Sequence, residues 1–280
     1  MSTKTLFLLI IQWFLLVFSG GSQSSFMSFN IRYDNKGDME NSWDNRKEEL
    51  AGMVKYYNPD LLGIQEGLYN QVMYLDEMLP EYDWIGKGRN DGKTKGEFSA
   101  IFYKKEKWEN IFNTTIWLSE TPDSVSKGWD AALERIATMG LFRNLKNKDT
   151  IFVINSHFDH IGNVARQKSA ELILDKITKM GWNQYRGVVM GDVNSQPFEE
   201  PVLIFSKVLK DAFLVAESFT GPVGTFNAFN ILQLPDVRID YIFTQNMNVL
   251  HCQHIDVRRN NNLYLSDHLP VFVIMEAGNK

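Results

Sequence analysis

Residues 187–194 read Gly-Val-Val-Met-Gly-Asp-Val-Asn, a short apolar run that ends in a carboxylate and an amide. The run predicts a short buried strand, 187–190, with a polar turn after it. The same pattern recurs elsewhere, because polar side chains follow the apolar residues of other predicted strands at Asn30, Glu66 and His157. Functional groups gather at strand ends in α/β folds, since the strands are rigid and the loops are free to vary. A functional site is therefore expected at these strand ends.

Short apolar runs alternate with helical patterns along the rest of the chain. Apolar residues at helical spacing predict helices at 46–57, 69–79 and 163–180. Short apolar runs predict strands at 26–33, 60–66, 82–85, 98–103, 139–145, 151–156, 187–190, 237–243, 249–257 and 271–275. The sequence contains no Pro- or Ser-rich linker, internal repeat or low-complexity segment. Because strands outnumber helices, one domain with two packed sheets covered by helices is favoured.

The composition is that of a globular protein, with 44% hydrophobic and 22% charged residues in a chain of 280. The formal net charge is -5 and the pI is about 5.6. A protein that grips long duplex nucleic acid usually presents a basic face, because phosphate neutralisation supplies most of the affinity. The total charge does not favour that class of partner.

The first residues have the pattern of a secretory signal peptide. Lys4 supplies a short positive region, residues 6–18 are almost wholly apolar, and small residues follow. Because the apolar run is short for a bilayer span, a cleaved signal over residues 1–21 is favoured over an anchor. The mature domain, 22–280, is then expected in the periplasm or outside the cell, with no integral membrane span. Cys252 is the only cysteine, so no internal disulfide can form.

The polar groups at the strand ends belong to short motifs that follow one another in a fixed order. These motifs are Ser28-Phe-Asn-Ile-Arg32, Gly63-Ile-Gln-Glu66, Asn155-Ser-His157, Gly191-Asp-Val-Asn194, Arg238-Ile-Asp-Tyr-Ile242 and Ser266-Asp-His268. As an ordered set they resemble the endonuclease/exonuclease/phosphatase superfamily. That group contains deoxyribonuclease I, exonuclease III-like repair endonucleases, neutral sphingomyelinases and inositol polyphosphate 5-phosphatases. The segments Trp117–Pro122 and Gly128–Ala132 look closest to secreted bacterial members with no settled substrate.

The resemblance runs from about residue 26 to the end of the chain and implies both a fold and an activity. The implied fold is an α/β four-layer sandwich of two packed, mostly antiparallel β-sheets flanked by helices. The implied activity is metal-dependent hydrolysis of a phosphoester by in-line attack of water. With the acidic total charge, a small phosphorylated substrate is favoured: a nucleotide, a sugar phosphate or a lipid head group. A monomer is expected.

Phosphoester hydrolysis requires a cation to absorb charge on the phosphoryl oxygens and donors to hold the transition state. On this resemblance Glu66 is the expected ligand of Mg²⁺, with Mn²⁺ as an alternative, because hard cations prefer carboxylate oxygen. Asn30 and Asp267 are expected beside the metal, either directly or through water.

The remaining motif residues are assigned to proton transfer and to the transition state. His268 is the candidate general base, and Asp240 is expected to orient and polarise its ring. Asp192 is the alternative residue for holding the attacking water, and the resemblance leaves open which of the two takes the proton. Asn194 and His157 are expected to donate hydrogen bonds to the non-bridging oxygens as charge builds.

A further set of residues is expected around the rest of the substrate. Arg32, Arg135, His160 and Arg166 are candidates for binding more phosphate oxygens or a polar head group, since arginine offers a bidentate fork. Trp129 is a candidate for stacking on a base or sugar ring. The alternative for each is an ordinary structural role, in a surface ion pair or in the core.

Three other functions compete with hydrolysis of a small phosphoester. A secreted nuclease that degrades DNA or RNA would use the same motifs, but no evident basic run accompanies them. A non-catalytic binding protein on the same fold would not require the intact set of carboxylates and histidines. A glycoside hydrolase needs only two carboxylates, and would not need the asparagines or the pairing of Asp240 with His268.

Overall fold

The computed structural model describes residues 23–278. The predicted signal peptide, 1–21, lies outside the described residues. Within 23–278 no helix is both long enough and apolar enough to cross a membrane.

Within residues 23–278, thirteen strands form two sheets. In chain order they are β1 Ser24–Asn30, β2 Leu61–Gln65, β3 Tyr82–Ile85, β4 Ile101–Lys104, β5 Trp108–Trp117, β6 Ile136–Asn144, β7 Thr150–His157, β8 Arg186–Asp192, β9 Lys210–Asp211, β10 Phe219–Thr220, β11 Asp240–Gln245, β12 Met247–His254 and β13 Val271–Ala277. The seven-stranded sheet has the order β10-β12-β13-β1-β2-β4-β3, and the six-stranded sheet has the order β5-β6-β7-β8-β11-β9. Neighbours are parallel in β1–β2, β7–β8 and β10–β12, and antiparallel in the other pairs.

Helices cover the outer face of each sheet. They are α1 Trp43–Tyr57 and α2 Tyr69–Met78 on one sheet, and α3 Asn163–Lys179 and α4 Glu200–Ser206 on the other. The short helix α5 Ala212–Val215 packs instead on the core between the sheets, and short 3-10 helices lie at Lys36–Asn41 and Trp182–Gln184. Because successive side chains of a strand point to opposite faces, a central strand feeds two cores at once. In β7, Val153 belongs to the core between the sheets, whereas Phe152 belongs to the core under α3 and α4. A third core, which contains Phe29, lies under α1 and α2. The predicted four-layer sandwich is confirmed.

The three predicted helices are present, and the elements missed by the sequence interpretation are short or peripheral. β5 lies beside β6 at the edge of its sheet, and its central residues are largely exposed, so they do not form an apolar run. β9 and β10 have two residues each, and α4 and α5 are short. α1 begins at Trp43, three residues earlier than predicted.

Candidate active site

The two central parallel pairs bring four of the predicted residues to one edge of the sandwich. β1 and β2 run side by side, so Asn30 at the end of β1 lies next to Glu66, which follows β2. In β7 and β8, His157 and Asp192 are direct neighbours across the strands. β11 runs antiparallel to β8 and begins at Asp240, the cross-strand partner of Asp192. The carboxyl ends of the parallel strands therefore collect the polar groups.

These strand ends meet in an open cleft of about 590 Å³. Nine of the predicted residues line it: Arg32, Glu66, Arg135, His157, His160, Asp192, Asn194, Asp267 and His268. Asn30 and Asp240 are fully buried just beneath them. Six further residues line the cleft that the sequence interpretation did not assign to the site: Tyr33, Arg89, Glu97, Leu133, Phe226 and Ile239.

His268 lies between two carboxylates at the base of the cleft. Its Nδ1 is 2.9 Å from Asp240 Oδ2, and its Nε2 is 3.8 Å from Asp192 Oδ2. Burial opposes the charged ring, but Asp240 and Asp192 outweigh it and raise the pKa of His268 well above its usual value. Burial, reinforced by the charge of Asp240, raises the pKa of Asp192 to about 7. The pair is therefore an imidazolium beside a carboxyl group that titrates near neutral pH.

Asn30 joins the two sheets at this point. Its Oδ1 accepts a hydrogen bond from the backbone N–H of Arg32 at 3.1 Å, which fixes the orientation of the amide. Its Nδ2 then donates to Asp192 at 3.0 Å and to Glu66 at 3.1 Å. The other oxygen of Glu66 accepts from the backbone N–H of Tyr33 at 3.1 Å. The predicted metal ligand and the predicted water-holding residue are thus connected through one amide.

Three residues at this edge of the sheets have a left-handed backbone conformation. Arg32, Glu66 and Asn194 have positive φ angles of 56°, 61° and 50°. Non-glycine residues rarely adopt this conformation, and its cost is tolerated where the surrounding structure fixes it. Asn194 is held in this way: its N–H donates to Asp192 Oδ1 at 2.9 Å and its Nδ2 donates to the Phe158 carbonyl at 3.0 Å.

His157 forms the next wall of the cleft. Its Nε2 is 3.5 Å from Asp192 Oδ2, and its Nδ1 is 3.7 Å from Glu97 Oε2. Burial, followed by the charges of Arg135 and Arg89, lowers the pKa of His157 well below its usual value, so the ring is neutral at pH 7. Burial likewise raises the pKa of Glu97.

The donor atoms of the cleft fit a hard divalent cation. Glu66 and Asp267 both line the cleft with carboxylate groups, and oxygen is the ligand that Mg²⁺ prefers. One atom each from Asp192, Asp240 and His268 lies within 4.8 Å of the other two, which is a second arrangement able to hold an ion. Asp240 Oδ1 is buried and has no hydrogen-bond partner within residues 23–278. In this second arrangement the positively charged ring of His268 would repel a cation. The carboxylates of Glu66 and Asp267 are therefore the better site for a metal ion.

Two of the residues expected around the substrate do not line the cleft. Arg166 donates to the Asp159 carbonyl at 3.2 Å and to the Asn163 side chain, because the first turn of α3 is folded against the 159–162 loop. Trp129 is half-buried in another loop, where its backbone N–H donates to Glu120 Oε2 at 3.1 Å.

The sequence profile of the Endonuclease/Exonuclease/phosphatase family matches residues 27–268, so the chain belongs to this family. A solved endonuclease/exonuclease/phosphatase structure from Bacteroides vulgatus is 38% identical, with a TM-score of 0.87 over 91% of this chain and 99% of that one. A mannosyl-6-phosphatase from Bacteroides thetaiotaomicron VPI-5482 is 36% identical, with a TM-score of 0.86 over 90% of this chain and 99% of that one. A probable RNA exonuclease of Saccharomyces cerevisiae is 28% identical over 180 residues, which are 59% of this chain and 34% of that protein.

Proposed function

We propose that the protein is a Mg²⁺-dependent hydrolase of small phosphoesters, with phosphomonoesters of polar alcohols as the favoured substrates. One observation carries the proposal: His268 is held between Asp240 and Asp192 at the base of a cleft whose rim presents Glu66 and Asp267. A cationic donor, a carboxyl group that titrates near pH 7 and hard oxygen ligands are the groups that phosphoryl transfer requires.

Glu66 and Asp267 would hold the cation, with Asn30 fixing the position of Glu66. When bound, Mg²⁺ supplies positive charge against the phosphoryl oxygens, and Mn²⁺ is the alternative ion. Arg32 lies on the same side, with its Nη1 3.6 Å from Asp267 Oδ2, and adds a guanidinium that suits a phosphate oxygen.

Asp192 is the better placed of the two candidates for taking the proton from water. Its pKa near 7 matches that task, whereas the raised pKa of His268 keeps the imidazolium as a hydrogen-bond donor. The oxygen of water forms a bond to phosphorus while the ester P–O bond breaks, and the alcohol leaves with a proton from solvent. His268, His157 and Asn194 border the space in which the non-bridging oxygens would gain charge.

The favoured substrate class rests on similarity and charge. The mannosyl-6-phosphatase matches over nearly its whole length, whereas only 34% of the yeast probable exonuclease is matched. The formal net charge of -5 also disfavours a long nucleic acid. Export to the periplasm or the exterior completes the proposal, and N-terminal sequencing of secreted protein would test it.

The test is a substrate panel: p-nitrophenyl phosphate, bis-p-nitrophenyl phosphate, mannose 6-phosphate and a DNA oligonucleotide, each with Mg²⁺ and with chelator. Turnover of the monoesters that needs Mg²⁺ is expected, with Glu66→Gln lowering the apparent Mg²⁺ affinity. Faster turnover of the oligonucleotide would instead establish the nuclease. Undiminished turnover in chelator would refute the metal-dependent proposal.

A further inference from the structure

A small inner cavity lies beside the His157 ring. Its volume is about 10 Å³, close to what one water molecule requires. Arg89, Glu97, Arg135 and His157 supply the charged and polar side chains of its lining. The Nε2 of His157 is 3.5 Å from Asp192 Oδ2 at the base of the cleft, whereas its Nδ1 is 3.7 Å from Glu97 Oε2. One ring nitrogen therefore faces the active site and the other faces the inner cavity.

Three buried polar atoms without a hydrogen-bond partner belong to the lining of this cavity. Within residues 23–278 they are Arg89 Nε, Arg135 Nη1 and His157 Nδ1. Glu97 Oε2 lies 3.7 Å from His157 Nδ1 and 4.0 Å from Arg135 Nη1, too far for direct hydrogen bonds. The same oxygen accepts from Arg89 Nη1 at 2.6 Å, so the Arg89 guanidinium is beside it as well. A single buried water, which typically makes about three hydrogen bonds, would give all three atoms a partner.

The donors and acceptors around the cavity decide which nitrogen of His157 carries the proton. Arginine side chains are only donors, so the N–H groups of Arg89 and Arg135 fill both lone pairs of such a water. The two hydrogens of the water must then go to acceptors, and Glu97 Oε2 and His157 Nδ1 are the neighbouring ones. A proton on Nδ1 would make the ring a third donor to a water with no lone pair left. The proton of the neutral ring is therefore placed on Nε2.

Other contents of the cavity suit these groups less well. A dry cavity would leave two donors of charged side chains without an acceptor, which is costly in a protein interior. A small anion such as chloride would accept from Arg89 and Arg135, but the Glu97 carboxylate would repel it. An anion also has no hydrogen to offer His157 Nδ1, so it would favour a ring that is protonated on Nδ1.

We propose that the inner cavity binds one water molecule, which Arg89 and Arg135 hold and which fixes the proton of His157 on Nε2. His157 then enters the reaction as a hydrogen-bond donor to a phosphoryl oxygen. Arg89 and Arg135 are positioning residues, because they act through the water on the ring. Each is held by a carboxylate, Arg89 by Glu97 at 2.6 Å and Arg135 Nε by Asp159 at 3.4 Å. Only the use of the donor rests on the proposed phosphoester hydrolysis.

Nitrogen-15 NMR of the histidine side chains measures the proton position without turnover. The chain has five histidines, so the signals of His157 can be assigned from their loss in His157→Gln. We expect a protonated Nε2 and an unprotonated Nδ1 in the wild type at pH 7. A ring protonated on Nδ1, which direct contact with Glu97 or a bound anion would produce, would overturn the proposal.

A high-resolution crystal structure tests the water itself. We expect one ordered water within hydrogen-bond distance of Arg89 Nε, Arg135 Nη1 and His157 Nδ1. A cavity without density, or one that holds a chloride, would contradict the proposed site.

The lysine variants Arg89→Lys and Arg135→Lys each remove one donor to the water and keep a positive charge beside the carboxylate. The water then has a free lone pair, so both forms of the His157 ring become possible. We expect a mixture of the two forms by NMR. We also expect kcat for p-nitrophenyl phosphate to fall about tenfold with KM nearly unchanged, the effect of one lost hydrogen bond in the transition state. In a His157→Gln background the same substitutions should have little further effect.

Arg186→Lys is the matched control for both readouts. Arg186 Nε is also buried without a hydrogen-bond partner within residues 23–278, and its Nη1 donates to Asp149 at 3.2 Å. It begins β8, whereas Asp192 ends the same strand about 20 Å away, at the usual rise per residue. The control should keep the wild-type kcat and the Nε2-protonated form of His157.

The two readouts separate this inference from the proposed function. A proton on Nε2 in a protein that hydrolyses no phosphoester would support the water site and count against the proposed function. Hydrolysis by a protein whose His157 is protonated on Nδ1 would do the reverse. An unchanged NMR spectrum and kcat in both lysine variants, or an equal fall of kcat in Arg186→Lys, would refute the positioning role of Arg89 and Arg135.

Discussion

Replacing Asn155 by alanine removes a polar contact that joins the two sheets directly beneath the cleft. Asn155 lies on β7, is fully buried, and reaches across to the other sheet. Its Nδ2 donates to the carbonyls of Ile64 at 2.8 Å and Ala100 at 2.9 Å, and its Oδ1 accepts from Gln65 Nε2 at 2.6 Å. Because β2 precedes Glu66 and β7 ends at His157, this contact also sets the spacing of the site.

The expected loss follows from these three hydrogen bonds. Each is worth about 1 kcal/mol net in a folded protein, so Asn155→Ala should lower the free energy of unfolding by about 3 kcal/mol. The loss is not larger, because Ala100 still accepts from the Ile64 N–H and Gln65 still donates to Ser28 Oγ. For a chain of this size the change corresponds to a fall in Tm of about 6–12 °C.

Asn155→Asp sharpens the test, because it keeps the shape and the acceptor but replaces the amide donor with oxygen. At pH 8 its carboxylate would face two carbonyls, so it should destabilise more than alanine does. Burial raises the pKa of such a carboxyl group in the folded state. Its protonated form can donate to one carbonyl, so the deficit of Asn155→Asp relative to Asn155→Ala should shrink as the pH falls.

Chemical denaturation of the purified proteins, followed by circular dichroism, measures these changes. Asn183→Ala, an exposed asparagine in the second 3-10 helix, is the matched control and should change stability by less than about 0.5 kcal/mol. A loss below about 1 kcal/mol in Asn155→Ala, or equal stability of Asn155→Asp and Asn155→Ala at pH 8, would refute this account of the inter-sheet contact.

Three further predictions concern a close strand contact, a helix cap and the charge of the cleft. Gly191→Ala should lower the free energy of unfolding in urea by about 3 kcal/mol or more, because φ is 142° and the new Cβ would lie 1.9 Å from the Ser156 carbonyl oxygen. Gly52→Ala in α1, where the new Cβ meets nothing within 4 Å, should instead raise it by about 0.5–1 kcal/mol. Asp130→Ala should cost about 1 kcal/mol in the same assay, because this carboxylate accepts from two N–H groups in the first turn of α3; no loss would contradict the cap. In the presence of chelator, the affinity for sulfate measured by calorimetry should fall as the pH rises through about 7. Burial and the charge of Asp240 raise the pKa of Asp192 to about 7, and above that pH its carboxylate repels the anion. Asp192→Asn should remove this pH dependence, and a wild-type affinity that does not change with pH would contradict the prediction.

The arrangement of the central strands was predictable because their side chains are buried on both faces. Strands β1, β2, β7 and β8 each contain buried apolar residues that lead to a polar residue at or just after the end of the strand. The proximity of Asp240 and Asp192 was not visible in the sequence, since it depends on the register between β8 and β11. Edge strand β5 was missed because one exposed face leaves it without an apolar run.

The far side of the cleft was only partly predictable, since loops build it. Arg89 and Glu97 lie between β3 and β4, in a segment of mixed charges that carries no recognised motif. Their direct contact at 2.6 Å, and their proximity to His157, arise from the folding of that loop onto the other sheet. Trp43 is buried in the core beside Tyr74, because α1 begins earlier than its apolar spacing indicated.

The most direct test of the central claim is hydrolysis of p-nitrophenyl phosphate with Mg²⁺ by the wild type, His268→Ala and Asp240→Asn, with His251→Ala as the control. If His268 acts at the base of the cleft and Asp240 holds its ring, turnover should fall at least 100-fold in His268→Ala and substantially in Asp240→Asn. His251, which contacts Ser218 Oγ at 2.9 Å on the opposite sheet, should tolerate replacement. Full turnover by folded His268→Ala, or an equal loss in His251→Ala, would contradict the assignment of this cleft as the active site.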